Sequence, residues 1–414
     1  MSPAMYINQK LFEQIVSAHR DLLPAYVYDL DVVKSKYNQI KSMFASYENT
    51  DILYAMKANW NRDIVRTLCD EGAGLDTVSP AEIYYARKLG VDCSRMMFNV
   101  NNMTEADMHE VHKLGVLFSI GSLDELEMYG KHYPGDSICI RFNPLSSGVG
   151  AGEHEFVQTS GKDAKFGILL EHKNLAAAIV KKYNLKVVGV HKHTGSCIIE
   201  KGVFIQAVKG LLSVVKGNDF PDLQFVDFGG GFYVRYKDAD ADFDYQGFAD
   251  EVIGLVEETN KALGKKLQIK FEPGKFLSAE CGYLVAEVTS VKDNGGYKIA
   301  GTNSGMNHLM RPVLYGAHHE VFNISNPGGT KYEYDVVGNI CESSDFFAKR
   351  RAVPEIRKGD FLAIGNAGGY VETMSSFYNM RQLPSVLVIR DGKVSLTRKR
   401  IGHAEMAELV FDKF

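Results

Sequence analysis

The chain has 414 residues, 45% of them hydrophobic, with 47 basic against 51 acidic side chains. That is enough apolar material for a large core and two domains. The near-balanced charge speaks against a nucleic-acid partner, and no apolar run reaches membrane-spanning length. The six cysteines are dispersed, with no CxxC pair and no metal spacing, and residues 1–23 lack an apolar signal core. A reduced, cytoplasmic enzyme is therefore expected, without a metal.

In chain order, residues 25–30 form a first strand, which either precedes the next group of strands or joins it. A helix then starts near Asp31, with Val33, Tyr37, Ile40 and Phe44 on one apolar face. From there a beat of short apolar strand, loop and helix sets in. Strands are expected at 51–57, 74–78, 95–99, 116–120, 137–142, 186–192, 223–228 and 267–272. Helix starts are marked by capping boxes at Ser79, Thr104 and Ser122, and helix ends by Gly90 and Gly115. Eight such units predict a (β/α)8 TIM barrel, with an open doubly wound sheet as the alternative. A glycine-rich loop at 146–152 reads equally as a flap or a solvated connection. After Gly274 the pattern changes to strands at 283–292, 298–301, 309–315, 333–337, 361–364, 385–390 and 394–398. Asp391-Gly392 is a hairpin turn between the last two. This predicts a C-terminal antiparallel β domain. The domain expectation is a barrel over 28–275, with 1–27 and 276–414 forming the β-sandwich-like second domain.

Barrel enzymes place their chemistry at the C-terminal ends of the strands. Lys57 ends the first barrel strand. It reads as a solvent-reaching side chain or as a partly desolvated amine that attacks an aldehyde. His191 and His193 share one strand face, which suits a ring stacked on a flat cofactor better than a metal pair. Ser196 can donate to a phosphate. Gly229, Gly230 and Gly231 let backbone amides close on an anion, although a plain tight turn has the same residues. Glu272 can keep a pyridine nitrogen protonated, or sit in a salt bridge. In the second domain, Cys341 with Glu342 beside it can serve as a proton donor. Tyr370, after Gly368-Gly369, is either a phenol near a ligand or a buried tyrosine.

Taken together, these stretches resemble the fold type III pyridoxal phosphate-dependent decarboxylases, alanine racemase-like barrels with a second β domain, and most of all the diaminopimelate decarboxylases. The likeness covers residues 25–400. It rests on 54–59, 191–196, 227–232, 272–275, 311–315, 341–343 and 367–370. It implies that Lys57 binds the cofactor covalently, His193 stacks on its ring and Glu272 meets the ring nitrogen. Ser196, Gly229, Gly230, Gly231, Gly274 and Tyr370 would surround the phosphate. Lys275, Arg311, Tyr315, Glu342 and Tyr370 would bind substrate. Cys341 and Glu342 would reach a partner's site across a homodimer. The implied reaction is conversion of meso-2,6-diaminopimelate to L-lysine and CO2, a lysine-biosynthetic step. The family usually has arginine where Lys275 stands and Ala-Tyr-Gly where Gly369-Tyr370-Val371 stands. These departures keep a related decarboxylase of ornithine, lysine or carboxynorspermidine as the alternative. A non-catalytic cofactor-binding homologue is the remaining reading.

Overall fold

A computed structural model describes residues 9–99, 101–144, 161–162, 164–217, 219–237, 240 and 242–413. The glycine-rich stretch 146–152 lies outside the described residues. By its internal contacts the chain divides into two units: residues 36–233 with 242–276, and residues 1–35 with 234–241 and 277–414.

The first unit holds eight parallel strands: Thr50–Ala55, Gly74–Thr77, Met96–Phe98, Leu117–Ile120, Ser137–Asn143, Lys186–His191, Phe225–Asp227 and Gln268–Phe271. Each pairs with the next, and Ile269 pairs with Thr50 to close the ring. The barrel excludes the open-sheet alternative. A short extra strand, Ile168–Leu169, flanks the fifth. Helices follow the strands, including Arg62–Asp70, Pro80–Lys88, Glu105–Lys113, Leu123–His132, Lys173–Lys182, Lys201–Val214 and Tyr245–Leu263. The capping boxes form as expected: the side chains of Ser79, Thr104 and Ser122 accept from the amides of Glu82, Asp107 and Glu125. The eighth strand is followed only by the single turn Lys275–Ser278.

Side chains of period two fill the barrel interior. Leu53, Met97, Cys139 and Phe225 pack in one apolar layer. Gly189 is required there, because a Cβ would lie 2.0 Å from the Phe225 ring. Two residues further along the strands, on the same face, the chain switches to Asp76, Asn99, Ser119, Arg141, His191, Asp227 and Glu272, all buried. The apolar layer makes the floor, and this polar layer makes the mouth.

The second unit is a nine-stranded mixed sheet. Its main path runs Phe346–Pro354, Lys331–Val337, Lys298–Thr302, Gly282–Asp293, Ala25–Asp29, Ser385–Arg390 and Lys393–Arg398; Phe361–Ile364 and Val321–Asn323 pair off it. Most pairings are antiparallel, with parallel ones at 25–29 with 385–389 and at 298–301 with 334–337. The opening strand thus joins this sheet and not the barrel. Its hydrogen bonds go to 282–285 and 385–389, and Val27 is buried among Phe12, Tyr283, Leu387 and Ile389. The Asp391-Gly392 turn has positive φ at both residues, 50° and 70°, which matches a two-residue hairpin loop. The strand expected at 309–315 needs correction. Arg311–Tyr315 is a helical turn opened by Pro312 and closed by Gly316 at φ 63°. Strands 321–323 and 346–354 and the helices Gln9–His19 and His403–Lys413 were not expected.

Candidate active site

Lys57 lies in a single turn, Met56–Ala58, directly after the first barrel strand. Its Nζ is 2.5 Å from Oδ2 of Asp76, which lies near the end of the neighbouring strand. The lysine side chain is 36% exposed and the carboxylate fully buried, so the amine is open on one side and held by a fixed counter-charge on the other. A second lysine, Lys192, needs comparison. Burial pushes its ammonium down to about 7, yet it alternates with His191 and His193 along the chain. Its Nζ sits 3.7 Å from the ring centroid of Phe204, on the helix Lys201–Val214 outside the barrel. Lys57 is the lysine at the mouth.

Glu272 is buried at the end of the eighth strand. Both its oxygens accept from Asn99 Nδ2, at 3.2 and 3.3 Å, and Oε2 lies 3.0 Å from His191 Nε2. His191 Nδ1 is 3.0 Å from Ser119 Oγ. Burial holds His191 neutral, down to about 3. Burial also raises the carboxyls of Asp76, to about 6, and of Asp227, to about 7; the negative charge of Glu272 adds to both. Glu272 itself is raised by burial, against the pull of Lys57 and Arg141. Burial lowers Arg141.

His193 Nδ1 accepts from the Gly230 amide at 3.0 Å, which places the ring proton on Nε2. Burial, with Arg141 and Lys57 adding to it, keeps this imidazole neutral. The three glycines pack closely. A Cβ would lie 2.5 Å from the Lys192 carbonyl at Gly229, 2.4 Å from the Glu272 carbonyl at Gly230 and 2.7 Å from the Gly195 carbonyl at Gly231. Gly229 and Gly231 also have positive φ, 65° and 102°. The Gly229 amide is bonded to Asp227 Oδ1 at 2.8 Å. At Gly274 a Cβ would lie 2.9 Å from Ala58 Cβ. Lys275 is buried and opens the turn Lys275–Ser278.

These residues fit pyridoxal phosphate on the chemistry of the donor set. Gly231 packs on the Gly195 carbonyl and accepts from the Ile198 amide at 2.8 Å, which sets it beside the loop that carries Ser196, a half-buried hydroxyl. Three buried carboxyls stand above their ordinary range, so burial outweighs the nearby cations and the layer accepts one more positive charge from a ring nitrogen. Asp227, Glu272 and His191 also lie close enough together to suggest a metal, but they are the same groups that would meet that nitrogen.

Residues 30–279 match the family described as "Pyridoxal-dependent decarboxylase, pyridoxal binding domain". The chain belongs to the pyridoxal-dependent decarboxylases. It is 35% identical to the diaminopimelate decarboxylase of Methanothermobacter thermautotrophicus, over 91% of this chain and 89% of that one. It is 32% identical to the Aquifex aeolicus diaminopimelate decarboxylase, over 94% and 92%. The crystal structure of the Helicobacter pylori diaminopimelate decarboxylase complexed with L-lysine superposes with a TM-score of 0.87 at 30% identity, covering 97% of this chain and all of that one. A decarboxylase of this family uses pyridoxal phosphate, and the barrel is where its binding domain lies.

The remaining sequence candidates belong to the second unit. Arg311 is 1% exposed, with Tyr236 Oη and His319 Nε2 both at 3.4 Å and the Tyr315 ring centroid 5.9 Å from its guanidinium carbon. Residues one helical turn apart share a face, so the helix keeps Arg311 and Tyr315 together as a strand would have. Cys341 and Glu342 are exposed. Their loop is pinned beneath by the buried Asp345, which accepts from the Met306 and Ile340 amides at 2.6 and 2.7 Å, and by Asn379, which accepts from the Cys341 amide at 2.7 Å. Tyr370 has φ 56°, just after glycines that pack on Ser278. The polar layer of Asp76, Asn99, Ser119 and Arg141 was missed in the sequence. The available signal was a polar residue two places after an inward apolar one, as in Cys139-Ile140-Arg141, or after an inward glycine, as in Gly74-Leu75-Asp76.

Proposed function

We propose that the enzyme decarboxylates meso-2,6-diaminopimelate to L-lysine and CO2. The observation that carries this reading is the kinship with diaminopimelate decarboxylases over nine-tenths of the chain, with Lys57 and Glu272 in position in the barrel. When bound, pyridoxal phosphate supplies an electron-accepting ring that stabilises the charge left at the carbon losing CO2.

The chain's own residues do the rest. Lys57 holds the cofactor covalently through Nζ, and Asp76 Oδ2 holds the proton that the amine gains and loses. Glu272 presents a carboxylate to the ring nitrogen, fixed by Asn99 on both oxygens. His193 offers a neutral flat face, with its ring oriented by the Gly230 amide. Ser196, Gly231, Gly274 and Tyr370 surround the phosphate, and Gly229 and Gly230, whose amides are taken up by Asp227 and His193, keep the loop close to the cofactor. Arg311 and Tyr315 take the distal carboxylate and Glu342 the distal ammonium, and Lys275 is a further substrate-binding residue. Cys341 returns a proton to the substrate carbon. Cys341 and Glu342 act in the partner's site of a homodimer, for which their exposure on a pinned loop is the support.

The test is incubation of the cofactor-loaded protein with meso-diaminopimelate, L-ornithine, L-lysine and carboxynorspermidine, with amine products and CO2 quantified. Lysine from diaminopimelate, with a kcat/KM at least a hundredfold above the other three, is expected. Turnover of another diamino acid and none of diaminopimelate would move the function to that substrate.

A further inference from the structure

On the outside of the barrel, two neighbouring helices bring together side chains that the decarboxylation does not use. Glu105 and His109 lie one turn apart on the helix Glu105–Lys113. His132 ends the next helix, Leu123–His132. Glu105 Oε1 lies 2.8 Å from His132 Nε2 and 3.5 Å from His109 Nε2. All three ligand-capable atoms lie within 4.8 Å of one another. Bonds of about 2.0–2.2 Å from one metal ion to nitrogen and oxygen separate adjacent ligands by about 3 Å, so Glu105 already stands from each histidine at about the spacing of adjacent positions on one ion.

A second observation points the same way. Each metal-binding histidine needs its other nitrogen held. His109 Nδ1 is 2.5 Å from Tyr133 Oη. The Tyr133 ring stacks on His112 at 3.5 Å between centroids and 7° between planes, and His112 Nε2 is 2.8 Å from Asp136 Oδ2. Tyr129 Oη donates to the same carboxylate oxygen at 3.0 Å. The His109 and His132 rings meet edge to face, 4.8 Å apart. The ring carrying Nε2 is thus framed by an aromatic stack tied at its far end. The side chains of Glu105, His109 and His132 remain 56%, 38% and 29% exposed, so water and an ion can reach them.

We propose that Glu105, His109 and His132 bind one divalent transition ion of the zinc–nickel class, with water in the remaining positions. Two imidazoles and one carboxylate suit such ions and not calcium or magnesium, which take oxygen ligands. On binding, the proton on His109 sits on Nδ1 and is donated to Tyr133 Oη, which frees Nε2 for the ion. The ion joins the start of one helix to the end of the next and acts as a clamp on the barrel wall.

The experiment is calorimetric titration of the cofactor-loaded enzyme with nickel chloride, comparing wild type with H109Q, H132Q and the control H172Q, a surface histidine elsewhere. Turnover, unchanged in all three variants, verifies that they fold. One nickel per chain in the micromolar range is expected, weakened at least tenfold by H109Q and by H132Q but not by H172Q. X-ray absorption of the nickel form should show two imidazoles and no sulfur. Binding that is equal in H109Q, H132Q and wild type, a thiolate in the nickel shell, or no binding would each overturn the proposal.

Discussion

At the residue scale, the proposed mechanism turns on the pair Lys57–Asp76. An exposed lysine after a strand gains specificity from a buried carboxylate at 2.5 Å, and that carboxylate cannot turn to water instead. Replacing Lys57 by alanine should remove covalent attachment of the cofactor, seen as loss of its absorbance band, and lower kcat about 10³-fold or more. Asp76→Asn should keep the band and lower kcat about ten- to a hundredfold with little change in KM, because it removes the proton partner and not a substrate contact. An Asp76→Asn enzyme with wild-type kcat would show that the carboxylate is merely structural. Arg311 belongs to substrate binding in the proposed reading. Arg311→Lys retains the charge but loses the planar fork held between Tyr236 and His319, so KM for diaminopimelate should rise about tenfold or more while kcat changes less.

Elements decide which of two similar lysines does chemistry. The sixth strand, Lys186–His191, continues into 192–193 with His191 and His193 on the barrel side and Lys192 facing the outer helix. Burial brings Lys192 to about 7, against an unfolded value near ~10.4. The folded-state value is the lower one. The unfolded chain therefore binds more protons between these limits, and stability rises with pH from about 7 to about 10. Lys192→Met retains the packing on Phe204 and removes the proton linkage. Denaturation midpoints across that range should rise in wild type relative to Lys192→Met; parallel curves would contradict the assignment. Turnover should be unaffected, because the side chain points away from the mouth.

At the scale of the whole molecule, the proposed homodimer makes a quantitative prediction. If Lys57 and Cys341 act in the same site but come from different chains, then Lys57→Ala and Cys341→Ala are each inactive. Dissociated and remixed in equal amounts, they form hybrids in half of the dimers, each hybrid with one complete site of two. About a quarter of wild-type activity should return. If both residues serve their own chain's site, remixing restores nothing.

The sequence alone determined the eight barrel strands, because each is a short apolar run, and several of the helices after them, because capping boxes at Ser79, Thr104 and Ser122 and glycines at 90 and 115 mark their ends. Lys57, His193, Glu272 and the three glycines were legible as candidates, since each follows a barrel strand and the ends of barrel strands converge. The hairpin at Asp391-Gly392 was legible for a similar reason, a turn that needs positive φ at both residues. Tertiary structure decided what depends on neighbours distant in the chain. Strand 25–29 could have completed the barrel by composition, but its partners are 282–285 and 385–389. Residues 311–315 are apolar enough for a strand, yet Pro312 and the left-handed Gly316 make them a turn of helix. Asp76, Asn99 and Arg141 are ordinary polar residues in the sequence. They become a site only because barrel closure buries them against Lys57 and Glu272, where water can no longer screen one charge from another.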